Sequence, residues 1–145
     1  MKNRILASLI FSFFALSLLS GCKGKEDDPA PTPQSTIKII SVTPSTGLVD
    51  GQSTSFDVEV EYNLKTSDQG ELNVGFNTNS PQVYSMDISA SHVVARGTGT
   101  YTFTVTATPK NWGGTQRFQA YVNLAKYPHA PTYYPVAGDT ENLSF

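Results

Sequence analysis

The sequence predicts an all-β domain, an antiparallel β-sandwich of about seven short strands. Three observations lead to that class. From Ile37 onward, apolar and polar residues alternate with a period of two. The apolar positions are mostly β-branched or aromatic, as half-buried strands require. Clusters of Gly, Pro, Asn, Asp and Ser interrupt the alternation at short intervals, and no stretch beyond the apolar N-terminus has a helical period.

The strands follow in order. The first is expected at 37–43, ended by Pro44-Ser45-Thr46-Gly47. The second spans 54–64, where Phe56, Val58, Val60, Tyr62 and Leu64 alternate with Asp57, Glu59, Glu61 and Asn63. Asp68-Gln69-Gly70 then reads as a turn, and 70–77 as the third strand, with Leu72, Val74 and Phe76 facing inward. Residues 82–96 form a long edge segment. Its alternation slips near Ser89-Ala90-Ser91, so it is expected to cross from one sheet to the other. Gly97-Thr98-Gly99 opens a strand at 99–108, where Tyr101, Phe103, Val105 and Ala107 alternate with threonines. Pro109-Lys110-Asn111 and Gly113-Gly114 lead into a strand at 116–124, and 140–145 supplies the last. The expected antiparallel pairs are 54–64 with 99–108, and 70–77 with 116–124.

The N-terminus carries a different message. Lys2 and Arg4 precede an almost wholly apolar run from Ile5 to Leu19, followed by small residues and Cys22. That order matches a bacterial secretory signal peptide, expected at 1–21. The alternative, a transmembrane anchor, needs about 20 apolar residues, and this run falls short. Leu19-Ser20-Gly21-Cys22 resembles the lipobox of bacterial lipoproteins. The resemblance implies lipidation of Cys22, cleavage before it and attachment to a membrane through the acyl chains. Cys22 is the only cysteine, so the domain is expected to fold without a disulfide.

Residues 22–36 are the tether. Lys23 to Gln34 lacks apolar periodicity and alternates prolines with small residues, so it reads as extended polyproline II chain. At about 3.1 Å per residue it would lift a domain on the order of 35–40 Å from a membrane. Glu26-Asp27-Asp28 after Lys23 and Lys25 resembles the export signal of surface lipoproteins in Bacteroidota-type bacteria. That resemblance implies the bacterial outer membrane, with the domain exposed at the cell surface.

Residues 37–145 make one domain. The runs from Tyr101 to Trp112 and from Phe118 to Val122 resemble two consecutive strands of bacterial immunoglobulin-like or fibronectin-III-like modules. The resemblance implies architecture and carries no catalytic or binding residue. It also implies that the N-terminus lies at the end bearing the loop 127–135, with Trp112 at the far end.

The chemistry is sparse. A net charge of −2 gives no electrostatic basis for binding nucleic acid. His92 and His129 have no metal-ligand spacing, and Gly97-Thr98-Gly99 leads into a strand where a phosphate loop needs a helix. No serine sits in a nucleophile elbow. No enzyme, cofactor or metal is expected. Asp57, Glu59 and Glu61 form a row on one strand face, and at roughly 7 Å between same-face neighbours they read as a solvated surface.

Two places suggest recognition. If 70–77 and 116–124 pair, then Asn73, Asn77, Gln119, Tyr121 and Asn123 share an outer face, with Gly75 leaving a dip among them. Amides beside an aromatic ring suit a glycan. The competing reading is an ordinary polar face with Tyr121 packed across strands. The loops offer Trp112, Tyr127, Tyr133 and Tyr134. Trp112 either caps the core or makes an exposed contact. The stiff tyrosine- and proline-rich segment 127–135 either recognises a partner or covers the end of the core. The expected role is a lipid-anchored binding or assembly module that contacts envelope proteins. The alternatives are a glycan-binding lipoprotein supporting polysaccharide capture, or a fimbrial or adhesive subunit completed by a partner strand.

Overall fold

The computed structural model describes residues 32–81, 87–129 and 133–145. The expected signal peptide, Cys22 and most of the tether lie outside the described residues. Among the described residues, every regular element is a strand: β1 Thr36–Thr43, β2 Thr54–Phe76, β3 Asp87–Ala107, β4 Phe118–Lys126 and β5 Pro135–Leu143. All pairings are antiparallel, in the order β1-β2-β4-β5, with β3 on the other edge of β2.

Among the described residues the strand count is five where the sequence predicts about seven. The expected strands at 54–64 and 70–77 are one continuous element, β2. The edge segment, described from Asp87, runs directly into the expected strand at 99–108 to form β3. Asp68-Gln69-Gly70 looks like a turn but stays extended through a bend. Leu64 pairs with Gly97 and Gln69 with Ala95, so residues 65–68 bulge opposite Arg96 alone. The Arg96 guanidinium donates from Nε to the Ser67 carbonyl at 3.1 Å. Gly97 has a φ of 129°, which only glycine adopts without strain. The last strand also starts earlier than expected, at Pro135, because Gly138 and the polar run after it mask any alternation.

The bend folds β2 back on itself. A flat strand of 23 residues would extend roughly 75 Å. Yet the rings of Phe56 and Phe76, near its two ends, have centroids 4.8 Å apart. β3 follows the same bend, and His92 in its first half stacks on Tyr101 in its second at 3.9 Å. The sheet therefore curls until its two parts face each other. One part holds β1, the first half of β2 and the second half of β3. The other holds β5, β4, the second half of β2 and the first half of β3. β1 meets β5 where the Ile39 N–H donates to Asp139 Oδ2 at 2.9 Å.

The core fills the space between them. Phe56, Val58, Val60, Leu64, Leu72, Val74 and Phe76 of β2 are buried, as their alternation predicts. Phe118 of β4 stacks on Phe76 at 5.7 Å, so three phenylalanines tie both ends of β2 to β4. Fully burying each such side chain contributes about 1.5–3 kcal/mol. β4 breaks the alternation, because Tyr121, Asn123 and Ala125 on its other face are buried as well.

Candidate functional site

That second buried face is where the sequence predicts an open polar surface. The register places Asn73 opposite Asn123 and Gly75 opposite Tyr121, so the expected neighbours do meet across β2 and β4. They are not available to a ligand. Asn73, Asn77, Tyr121 and Asn123 are all buried. Tyr133, from the segment after β4, reaches Asn73 and Asn123. Asn73 Nδ2 donates to Asn123 Oδ1 at 3.3 Å and to the Tyr133 hydroxyl at 2.9 Å. The Tyr133 hydroxyl in turn donates to Asn123 Oδ1. Two of the amides nominated for a sugar, Asn73 and Asn123, instead hold the chain's own tyrosine. An alternating pattern shows which residues share a face, and it does not show what covers that face.

Charged and aromatic groups complete this latch. Glu71, one pleat along from Asn73, pairs through Oε2 with His129 Nε2 at 2.7 Å. The His129 ring meets Tyr133 edge-on at 5.0 Å and Tyr127 at 5.9 Å. Burial, and then the Glu71 carboxylate, raises the pKa of the Tyr133 hydroxyl above the ordinary tyrosine value, against hydrogen bonds to Asn73 and Asn123 that lower it. Tyr133 therefore keeps its proton at neutral pH and remains a donor. Sequence reasoning missed Glu71 and passed over His129 because no local motif joins residues so far apart.

The other nominated residues have separate roles. Tyr121 is 2% exposed, and its hydroxyl has no hydrogen-bond partner among the described residues. Burial raises its pKa. Its ring cannot stack on a sugar from solvent. Gln119 is half-buried and bonds Asn142 through its side chain at 2.8 Å. Asn77 acts on the backbone: Nδ2 donates to the Arg117 carbonyl at 2.8 Å, and Oδ1 accepts from the Gln119 N–H at 2.7 Å.

Gly75 leaves no dip. A Cβ there would lie 2.5 Å from the Asp87 carbonyl oxygen, because the start of β3 bulges against it. Gly75→Ala should therefore push β3 away from β2 and lower stability by about 1–3 kcal/mol. Chemical denaturation checks this. Stability equal to wild type would mean that β3 starts elsewhere.

The loops divide between anchoring and display. Trp112 is half-buried, and its indole N–H donates to the Asn77 carbonyl at 3.2 Å, which pins the ring to the end of β2. Asp50 holds the same loop by accepting from the Asn111 N–H at 2.7 Å. At the other end, Tyr133 turns inward while Tyr127 and Tyr134 point outward, at 39% and 73% exposure. One cavity of about 460 Å³ opens beside Ser89, Thr106 and Lys110, and another of about 270 Å³ beside Asn111, Arg117 and Phe145. None of the five residues nominated for a glycan lines either cavity.

The acidic row on β2 is solvated. Asp57 accepts from the Thr104 hydroxyl at 2.7 Å, and Glu59 from Ser41 at 3.4 Å. Among the described residues, no group of three or more His, Cys, Asp or Glu side chains is placed to hold a metal ion. What this surface offers chemically is two outward tyrosines, Tyr127 and Tyr134, beside the fastened Tyr133 and His129. The chain matches no protein-family model and no curated protein.

Proposed function

We propose that the chain is a lipid-anchored, non-catalytic binding or assembly module of the bacterial outer surface, and that its loop 127–134 contacts a protein partner in the same envelope. The observation that carries this reading is the fastening of Tyr133 and His129 within that loop. Asn73, Asn123 and Glu71 hold Tyr133 and His129, leaving Tyr127 and Tyr134 facing out. Side chains held in place before binding lose little entropy on contact, and tyrosine supplies large contact area with few rotatable bonds.

Two further observations support it. The first half of β2 pairs with the second half of β3, and the second half of β2 pairs with β4. These are the pairs an immunoglobulin-like or fibronectin-III-like sandwich needs. Ser35, just before β1, accepts from the Lys65 and Thr66 N–H groups at the bend, and the Tyr127 N–H donates to Gln69 beside it. The chain thus enters the domain at the tyrosine end. A tether anchored at Cys22 would turn that end toward the membrane and toward neighbours embedded in it.

The test uses the full chain in cells, with a photo-crosslinking residue at Tyr134. The control position is Thr115, exposed in the Trp112 loop. Illumination should give an adduct of defined mass from position 134 and none from 115, and Cys22→Ala should abolish it by releasing the protein from the membrane. Equal labelling at both positions, or none at 134 in anchored protein, would remove the loop from the reading. Unchanged membrane retention of Cys22→Ala would remove the lipid anchor.

A further inference from the structure

We propose that the free edge of β3 is a self-association site, pairing antiparallel with β3 of a second copy of this chain. β3 bonds to β2 along one side, and among the described residues no strand pairs with its other side. A row of backbone N–H and C=O groups is left facing outward there. Such an edge is a template for another strand, and soluble proteins normally guard it with lysine, proline or inward charge.

The sheet's other two edge strands differ in that respect, and β1 carries Lys38. β5 carries Pro135, Asp139 and Glu141. From Ile88 to Ala107, β3 has no proline, no lysine and one formal charge, Arg96. Two of the exposed large apolar side chains, Ile88 and Val93, also lie on β3.

A second copy fits this edge better than a charged partner does. The bend at Gly97 limits straight pairing to the second half, 98–107, a length of about 33 Å. Its outward residues are Thr98, Thr100, Thr102, Thr104 and Thr106. In a continuous sheet, residues directly opposite each other share a face, so these threonines would meet threonines of the second copy. Cross-strand threonine pairs are favourable, and like charges opposite each other are not. The acidic row lies one strand further in, on β2, so pairing brings no carboxylates face to face. An acidic or basic strand would find no complement on this edge. The resulting dimer is isologous about a two-fold axis, so the edge at 98–107 is fully used in it.

The experiment purifies the full chain in a mild non-ionic detergent and measures protein mass by light scattering from micromolar concentration upward. Wild type should form dimers. The double variant Thr100→Lys, Thr102→Lys should weaken them by about tenfold or more, because lysines then oppose lysines. Its fold should survive, since the new lysines sit opposite Glu61 and Glu59 of β2. In a Cys22→Ser background, single cysteines at Thr98, Thr100, Thr102, Thr104 and Thr106 make the result independent of that variant's folding. At least one should give a disulfide-linked dimer on mild oxidation, and Thr140→Cys on β5 should give none. A wild-type monomer at 100 µM (on the order of ordinary transient affinities) would overturn the proposal. So would linkage at Thr140 in place of the β3 positions.

Discussion

Phe76→Ala should lower the unfolding free energy by about 3–5 kcal/mol. Phe76 is fully buried at the last residue of β2. Its ring lies 4.8 Å from Phe56 and stacks 11° from parallel on Phe118 at 5.7 Å. Removing it opens a cavity where both ends of β2 and the start of β4 converge. The backbone around that point is fixed by pairing on both sides of β2, so it relaxes little into the space. Domains of this size are stable by about 5–15 kcal/mol, so the loss takes a large share of the total. The melting midpoint should fall by roughly 10–30 °C. Phe145 supplies the comparison. It touches Phe118 edge-on at 6.3 Å but is 41% exposed. Phe145→Ala should cost about 1 kcal/mol or less. Equal losses from the two variants would show that the folding back of β2 does not depend on the phenylalanine cluster.

Asn77→Ala should cost about 2–4 kcal/mol, with no ligand present. Asn77 is completely buried, and its amide gives the Gln119 N–H an acceptor and the Arg117 carbonyl a donor. Alanine leaves both backbone groups without their partner, at about 1–3 kcal/mol each where water cannot replace it. Gln119→Ala removes only a side-chain bond near the surface to Asn142 and should cost under about 1 kcal/mol. The contrast separates two roles for a residue that its sequence position nominates for a sugar. If Asn77→Ala kept full stability and lost retention of a glycan, Asn77 would belong to a binding site. A large loss of stability with no ligand present assigns it to the end of the β2–β4 pairing.

The legibility of this chain varied by element. Phe56, Val58 and Val60 alternate with acids, and they are buried while Asp57 and Glu61 are exposed. The pairing of the expected strands was legible as well, because inward faces and chain direction leave few arrangements. The unbroken passage through Lys65–Asp68 was not. A polar run with Asp and Gly reads as a turn, whereas here the bulge opposite Arg96 bends the strand without ending it. The outer face of β4 departs from expectation for a different reason. The alternation identifies its residues, but Tyr133 bonds Asn73 from 60 residues away. No pattern within either strand encodes that contact.

The sequence by itself determined that the domain is all-β, which residues share each strand face, and where the apolar core would form. These follow from side-chain periodicity, which is local. Only the tertiary structure decided that β2 and β3 each serve both parts of the curled sheet. It alone decided that Asn73, Asn77 and Asn123 serve the fold from inside, and that Tyr134 points out while Tyr133 points in. These outcomes depend on which distant segment covers a polar face, because a buried amide must find its partner wherever the chain brings one within reach.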